Sequence, residues 1–125
     1  GETLESAVAE IEAAFAQVAT EDPRFRYTLD VNPDGDFIPA NITEDTSPLV
    51  QAVQASVREV TGQEPAYFVA WAGATDGRFY RQAGIDTVGY GPGGENAHGA
   101  NEAVFVDDLV TQAKVYADAI TRLLG

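Results

Sequence analysis

From Ser47 to the C-terminus, helix signals alternate with short apolar runs, and this alternation constrains the fold more than any other feature of the sequence. Ser47-Pro48 reads as a helix start, with serine as N-cap and proline in the first turn, where its missing N–H costs nothing. Val50, Val53, Val57 and Val60 recur on one face, and Gly62 stops the helix. Ala66-Tyr67-Phe68-Val69-Ala70-Trp71 is a nearly unbroken apolar run, expected as a strand buried on both faces. Gly73-Ala74-Thr75-Asp76 reads as a turn, residues 76–83 as a short helix stopped by Gly84, and Ile85 to Tyr90 as a second buried strand. Asp107 or Asp108 is expected to cap a final helix, buried through Leu109, Ala113, Tyr116, Ala117, Ile120, Leu123 and Leu124. Helix-strand-helix-strand order predicts a parallel α/β layer, because parallel neighbours need a crossover helix between them.

The first 31 residues follow another pattern. Leu4, Ala7, Val8, Ile11, Ala14, Phe15 and Val18 recur at three and four residue steps, which predicts an amphipathic helix ending before Glu21-Asp22-Pro23. Phe25, Tyr27, Leu29 and Val31 alternate with Arg24, Arg26, Thr28 and Asp30, the pattern of a half-buried, antiparallel strand. One helix and one amphipathic strand read as the closing part of a separate α+β domain. Residues 32–46, with Pro33, Gly35 and Pro39, read as loop. The expected organisation is 1–33 as the end of one domain, 34–46 as linker, and 47–125 as part of another.

The chain of 125 residues carries 20 acids and 7 bases, a formal net charge of −13. That field repels phosphate backbones and anionic lipid, so neither nucleic acid nor membrane is an expected partner. Among the bases only Lys114 is a lysine. Many acids, little lysine and much Ala, Val and Thr form the surface pattern of halophilic proteins, which is the expectation here, with the composition of a high-GC bacterium at ordinary salt as the alternative. No signal-peptide pattern opens the sequence and no apolar stretch approaches a membrane span, so a cytoplasmic protein is expected. There is no cysteine, which rules out disulfides and thiolate metal sites made by this chain.

Three motifs bear on chemistry. Asp30-Val31-Asn32-Pro33-Asp34-Gly35-Asp36 spaces oxygen side chains as in the first half of a calcium loop, but the twelfth position is Asn41 where a bidentate Glu is needed. Gly89-Tyr90-Gly91-Pro92-Gly93-Gly94 imitates a dinucleotide fingerprint, yet Pro92 removes an amide and no helix start follows, so a loop allowing close backbone approach is preferred. His98, the single histidine, lies in a long glycine-rich loop after an apolar run, where ligand sites gather in α/β folds. Glu95 and Glu102 flank it, and either could accept the second imidazole N–H. Chemistry alone leaves two readings open: a solvated or core histidine, or a ligand. A Ser–His or Cys–His mechanism finds no support, since there is no nucleophile elbow and no cysteine.

The runs Ala74-Thr75-Asp76-Gly77-Arg78-Phe79, Gly84-Ile85-Asp86-Thr87-Val88-Gly89-Tyr90-Gly91-Pro92-Gly93, Ala97-His98-Gly99-Ala100-Asn101-Glu102 and Val106-Asp107-Asp108-Leu109 together carry a resemblance. In order and spacing they resemble the C-terminal end of the acetylornithine deacetylase, succinyl-diaminopimelate desuccinylase and carboxypeptidase G family of two-zinc amidohydrolases. The resemblance is strongest over 73–125 and looser over 1–46. It implies a mostly parallel three-layer α/β catalytic domain, preceded by the last helix and strand of a ferredoxin-like α+β lid domain through which the protein dimerises.

By the same resemblance, His98 matches the last metal ligand, bound to one of two zinc ions (cobalt or manganese being possible substitutes). Asn101 and Glu102 match the end of that motif, where they shape the loop or bond the outer side of the ligand. Gly73, Ala74, Thr75, Arg78 and Gly94 match substrate-side positions, and Arg78 could pair with a substrate carboxylate. Asp76 ties the turn at a helix start. The implied reaction is hydrolysis of the amide of an N-acyl amino acid or small peptide. The remaining ligands and the general-base Glu belong upstream of residue 1, so this chain alone is expected to be an inactive part of the enzyme, needing the rest of the catalytic domain. A non-catalytic acidic module for dimerisation or binding is the alternative, and a calcium-binding loop at 30–41 a third, weaker one.

Overall fold

The structure, a computed structural model, describes residues 2–32, 37–69 and 73–125. The chain forms two compact units, Gly1–Ala40 and Asn41–Gly125.

In the first unit, helix α1 spans Leu4–Glu21. It starts at Thr3, whose hydroxyl accepts the Ser6 N–H at 3.2 Å while Ser6 Oγ accepts the Thr3 N–H at 2.9 Å. This capping box satisfies two otherwise unpaired donors. It ends where Asp22 accepts both the backbone N–H and the guanidinium of Arg24. That fork holds the Asp22 carboxyl below its usual range, chiefly through the Arg24 side chain. Phe15 meets Tyr27 at 4.8 Å and Phe25 at 6.0 Å between ring centroids. Phe25, Leu29 and Val31 are half-buried while Arg24, Arg26, Thr28 and Asp30 are exposed. The predicted two-faced pattern is present over 24–31 except at Tyr27, which is 43% exposed, and the predicted strand is absent. A strand exists only when a neighbour takes up its N–H and C=O groups, and the described residues of this unit offer none.

In the second unit, helix α2 (Pro48–Thr61) is built as its sequence dictates. Ser47 Oγ accepts the Leu49 N–H at 3.1 Å, Pro48 opens the first turn, and Gly62 closes the helix at φ 69°. Helix α3 spans Gly77–Gln82 and helix α4 spans Val106–Leu124. Helices α2 and α4 pack together. Their seam is the core: Val50, Ala52, Val57, Val115 and Ala119 are buried there, with Ser56 fully enclosed. Strands β1 (Gly94–Glu95) and β2 (Ala103–Val104) form an antiparallel pair, with Gly94 opposite Val104 and Glu95 opposite Ala103. No helix among the described residues is long and apolar enough to cross a membrane.

Several expectations need correction. Residues 66–69 form no strand, and Phe68 and Val69 are 78% and 63% exposed; Ala70 and Trp71 lie outside the described residues. Residues 85–90 form no strand either, and Ile85 is exposed. Among the described residues the sheet is the short antiparallel pair, with no parallel layer. Helix α4 is capped by neither Asp107 nor Asp108: Phe105 occupies the N-cap without a side-chain bond, and Asp108 accepts the Gly93 N–H at 3.0 Å instead. Its buried stripe is also different. Val115 and Ala119 face α2, while Leu109, Tyr116, Ile120, Leu123 and Leu124 are exposed. At ~100° per residue these stripes lie about a third of a turn apart. The apolar periodicity thus marks a face that stays exposed among the described residues, apart from the contact of Tyr116 with Tyr90.

Candidate functional site

Residues 96–102 form the tip between β1 and β2, and the base of this hairpin is tied down. Phe105 N–H reaches the Gly93 carbonyl at 3.1 Å, opposite the Gly93–Asp108 bond. Three residues upstream, the Tyr90 carbonyl accepts from the Tyr116 hydroxyl and from Gln112 Nε2. Gly94 is set by this closure: a Cβ there would strike the Ala103 carbonyl, so the hairpin requires glycine whatever else the position does.

The tip is tight. Asn96, His98 and Asn101 have φ of 55°, 61° and 61°, and Gly99 N–H closes on the Asn96 carbonyl at 2.7 Å. Asparagine tolerates the left-handed region; histidine there is uncommon, and such conformations gather at functional sites. His98 is exposed, and among the described residues its ring has no hydrogen-bond partner. Glu95, Asn101 and Glu102 are exposed nearby in sequence, and none bonds the imidazole. Among the described residues no three His, Cys, Asp or Glu side chains converge on a point that could hold a metal.

The other predicted residues form a contiguous group of their own. Gly73, Ala74 and Thr75 are exposed in the bend before α3. The Thr75 carbonyl accepts the Arg78 N–H at 3.1 Å, fixing the start of the helix. Asp76 holds the N-cap position without a side-chain bond, which corrects the expectation that its carboxylate ties the turn. Arg78 is exposed, its guanidinium 4.8 Å from the Phe79 ring centroid. No hydrogen bond joins this group to the 94–102 loop among the described residues.

Sequence reasoning missed what anchors the segment between them. Thr43 is 3% exposed; its hydroxyl donates to the Thr87 carbonyl at 2.8 Å and accepts the Thr87 N–H at 2.9 Å. One side chain thereby takes both backbone groups that a strand neighbour would take. Ser47 Oγ donates to Asp86, so the α2 cap also fastens this segment. The Tyr67 hydroxyl donates to the Thr43 carbonyl, and burial pushes its phenol above the usual range, with Arg81 opposing the rise. Asn41, the misfit of the calcium pattern, is engaged by Arg78 and Arg81; Pro33–Asp36 of that pattern lie outside the described residues. These pairs are 24 to 44 residues apart, and nothing local announces them. A shallow polar groove of about 510 Å³ is lined by Asp45, Thr46, Gln51, Gln54 and Arg58, none of them a predicted site residue.

The chain matches the model of peptidase family M20/M25/M40 over residues 5–122, and it belongs to that family. It is similar to the succinyl-diaminopimelate desuccinylase of Pseudoalteromonas atlantica, 33% identical over 100 residues that cover 80% of this chain and 26% of that protein. It is also similar to the succinyl-diaminopimelate desuccinylase of Alkalilimnicola ehrlichii, 39% identical over 77 residues, 62% of this chain and 20% of that protein. The chain therefore spans about a quarter of the length of these relatives or less. No solved structure gives a significant match.

Proposed function

We propose that this chain is the C-terminal part of a zinc-dependent amidohydrolase of desuccinylase type, acting on an N-acyl amino acid, with His98 as one metal ligand. The observation that carries the reading is the state of His98. It is an exposed, unpartnered imidazole, held in a left-handed backbone at the tip of a hairpin whose base is anchored to α4. A free imidazole on a fixed base suits a ligand, leaving one ring nitrogen open to a metal and the other to a carboxylate or carbonyl acceptor.

One imidazole fits one coordination position and no more, since a catalytic zinc takes about three protein ligands. The others, with the general-base Glu, would come from sequence outside this chain. When bound, zinc would supply Lewis acidity and an activated water. The residues here would do the rest: Arg78 would pair with an anionic end of the substrate, and the Gly73–Thr75 bend and Gly94 would let it approach the backbone. Asn101 and Glu102 would shape the loop that carries His98.

The exposed apolar stripe of α4 and the exposed Phe68, Val69 and Ile85 support the finer fold. They are the surfaces expected if a parallel sheet in the remainder of a three-layer catalytic domain lies against them. Residues 1–33 would close the lid domain and 34–46 would link the two, with a homodimer formed through the lid in the cytoplasm of a halophile. A second reading, an acidic binding module, is favoured by the partly exposed Ile11 and Val18 on α1. A lid lacking its other elements would expose them as well.

The test is turnover by the longer protein. N-succinyl and N-acetyl amino acids should be hydrolysed, a chelator should abolish this, and zinc should restore it. Hydrolysis insensitive to chelation, or none with any acylated amino acid, would remove the proposal.

A further inference from the structure

Arg81 belongs to no motif named above, yet three segments meet on its half-buried guanidinium. Its Nε donates to Asn41 Oδ1 at 2.7 Å, and its Nη1 donates to the Thr87 carbonyl at 3.3 Å. Asn41 passes the link on, its Nδ2 donating to the Arg78 carbonyl at 3.1 Å. The Arg78 N–H is already bonded to Thr75. Both backbone groups of Arg78 are therefore held, while its side chain stays exposed.

Gly77 gives a second, independent sign of the same clamp. A Cβ at this position would stand 3.0 Å from Arg81 Nη1, 3.1 Å from Thr75 Oγ1 and 3.1 Å from Thr87 Cγ2. The first residue of α3 is enclosed from three sides, and the guanidinium is the nearest wall. A fixed backbone gives the exposed Arg78 guanidinium, which rests 4.8 Å from the Phe79 ring centroid, a fixed origin from which to reach an anion.

We infer that Arg81 is a positioning residue: through Asn41 and Thr87 it fixes the backbone of Arg78, and so sets how tightly the anionic end of the substrate is held. This rests on the reading of Arg78 given under Proposed function. Lysine cannot replace it, because only a planar guanidinium offers donors in two fixed directions.

The experiment uses the longer, zinc-loaded enzyme with an N-succinyl amino acid. Arg81→Lys should raise KM about tenfold with kcat and zinc content unchanged, the pattern of lost uniform binding. In an Arg78→Ala background the same change should leave KM nearly unaltered, because the effect travels through Arg78. Asn41→Ala should reproduce the rise and serves if Arg81→Lys does not fold. An unchanged KM in the folded variants overturns the inference, and so does a rise that persists in full without Arg78. Loss of folded protein in both variants marks a purely structural clamp and overturns it too. If the wild type hydrolyses no acylated amino acid, the functional reading falls and this inference with it. If the wild type is active and the variants match it, the inference alone falls.

Discussion

Helix α2 closes its hydrogen bonds within itself, from the Ser47 cap to Gly62, whereas segment 85–90 has its backbone groups taken up by side chains from elsewhere. In α2 each interior N–H finds an acceptor four residues back, so the element needs only its own sequence plus one packed face. Segment 85–90 is as apolar as a buried strand, but its pairing partner is not specified locally. Thr43 serves Thr87, and Tyr116 and Gln112 serve Tyr90. The comparison teaches that a helix is complete on its own sequence and one packed face, while a strand is a property of a sheet and forms only with neighbours.

The largest expected effect tests where the core lies. Val115 is fully buried on the α2–α4 seam, so Val115→Asp should destabilise the second unit by at least ~3 kcal/mol in urea unfolding followed by circular dichroism. Ile85→Asp, at a 55% exposed position, should cost within about 0.5 kcal/mol in this chain. Equal losses would break the comparison, because 85–90 would then be as buried as α2.

The helix ends come next. Ser47→Ala should cost about 1–2 kcal/mol, since it removes the α2 cap and the bond to Asp86 together. Gly62→Ala should cost about 1 kcal/mol, because φ of 69° is strained for any residue with a Cβ. If neither moves the urea midpoint, α2 is not locally specified as claimed.

A smaller effect concerns charge. With a net charge of −13, the midpoint should rise from low salt to multimolar potassium chloride as repulsion is screened. A midpoint independent of salt would contradict the halophilic reading.

The smallest effect is acidic. Arg122 beside Asp118 holds its carboxyl below the usual range, with a lesser contribution from the Ser56 hydroxyl, which approaches it without a bond of ordinary geometry. The folded pKa is thus the lower one. The Asp118 contribution is present above the ordinary aspartate range and is lost as pH falls through the folded value. Solvent screening keeps it small. Asp118→Asn should flatten the acid limb of a stability–pH curve; an unaltered limb would show the pair contributes nothing.

Legibility in the sequence followed the same division. Helices α1 and α2, the short α3 and the Gly62 cap were readable, because caps and periodicity are local. The 24–31 segment shows the predicted alternation of faces without the ladder. For α4 the apolar stripe is legible but the buried side is not, since periodicity identifies a face and not what covers it. His98 stands out in the sequence by its glycine-rich loop, and the structure adds its left-handed backbone. The Thr43–Thr87 and Arg81–Asn41 pairs were illegible, as polar contacts across forty residues leave no periodic trace.

The central claim is that His98 is one ligand of a zinc site completed by sequence outside this chain. Its most direct test is zinc content and N-succinyl amino acid turnover of the longer protein carrying His98→Ala. The account predicts a folded enzyme with weakened binding of one zinc and at least a hundredfold less turnover, on the order expected for loss of a group acting on the reacting centre. Unchanged zinc stoichiometry and unchanged turnover would contradict it.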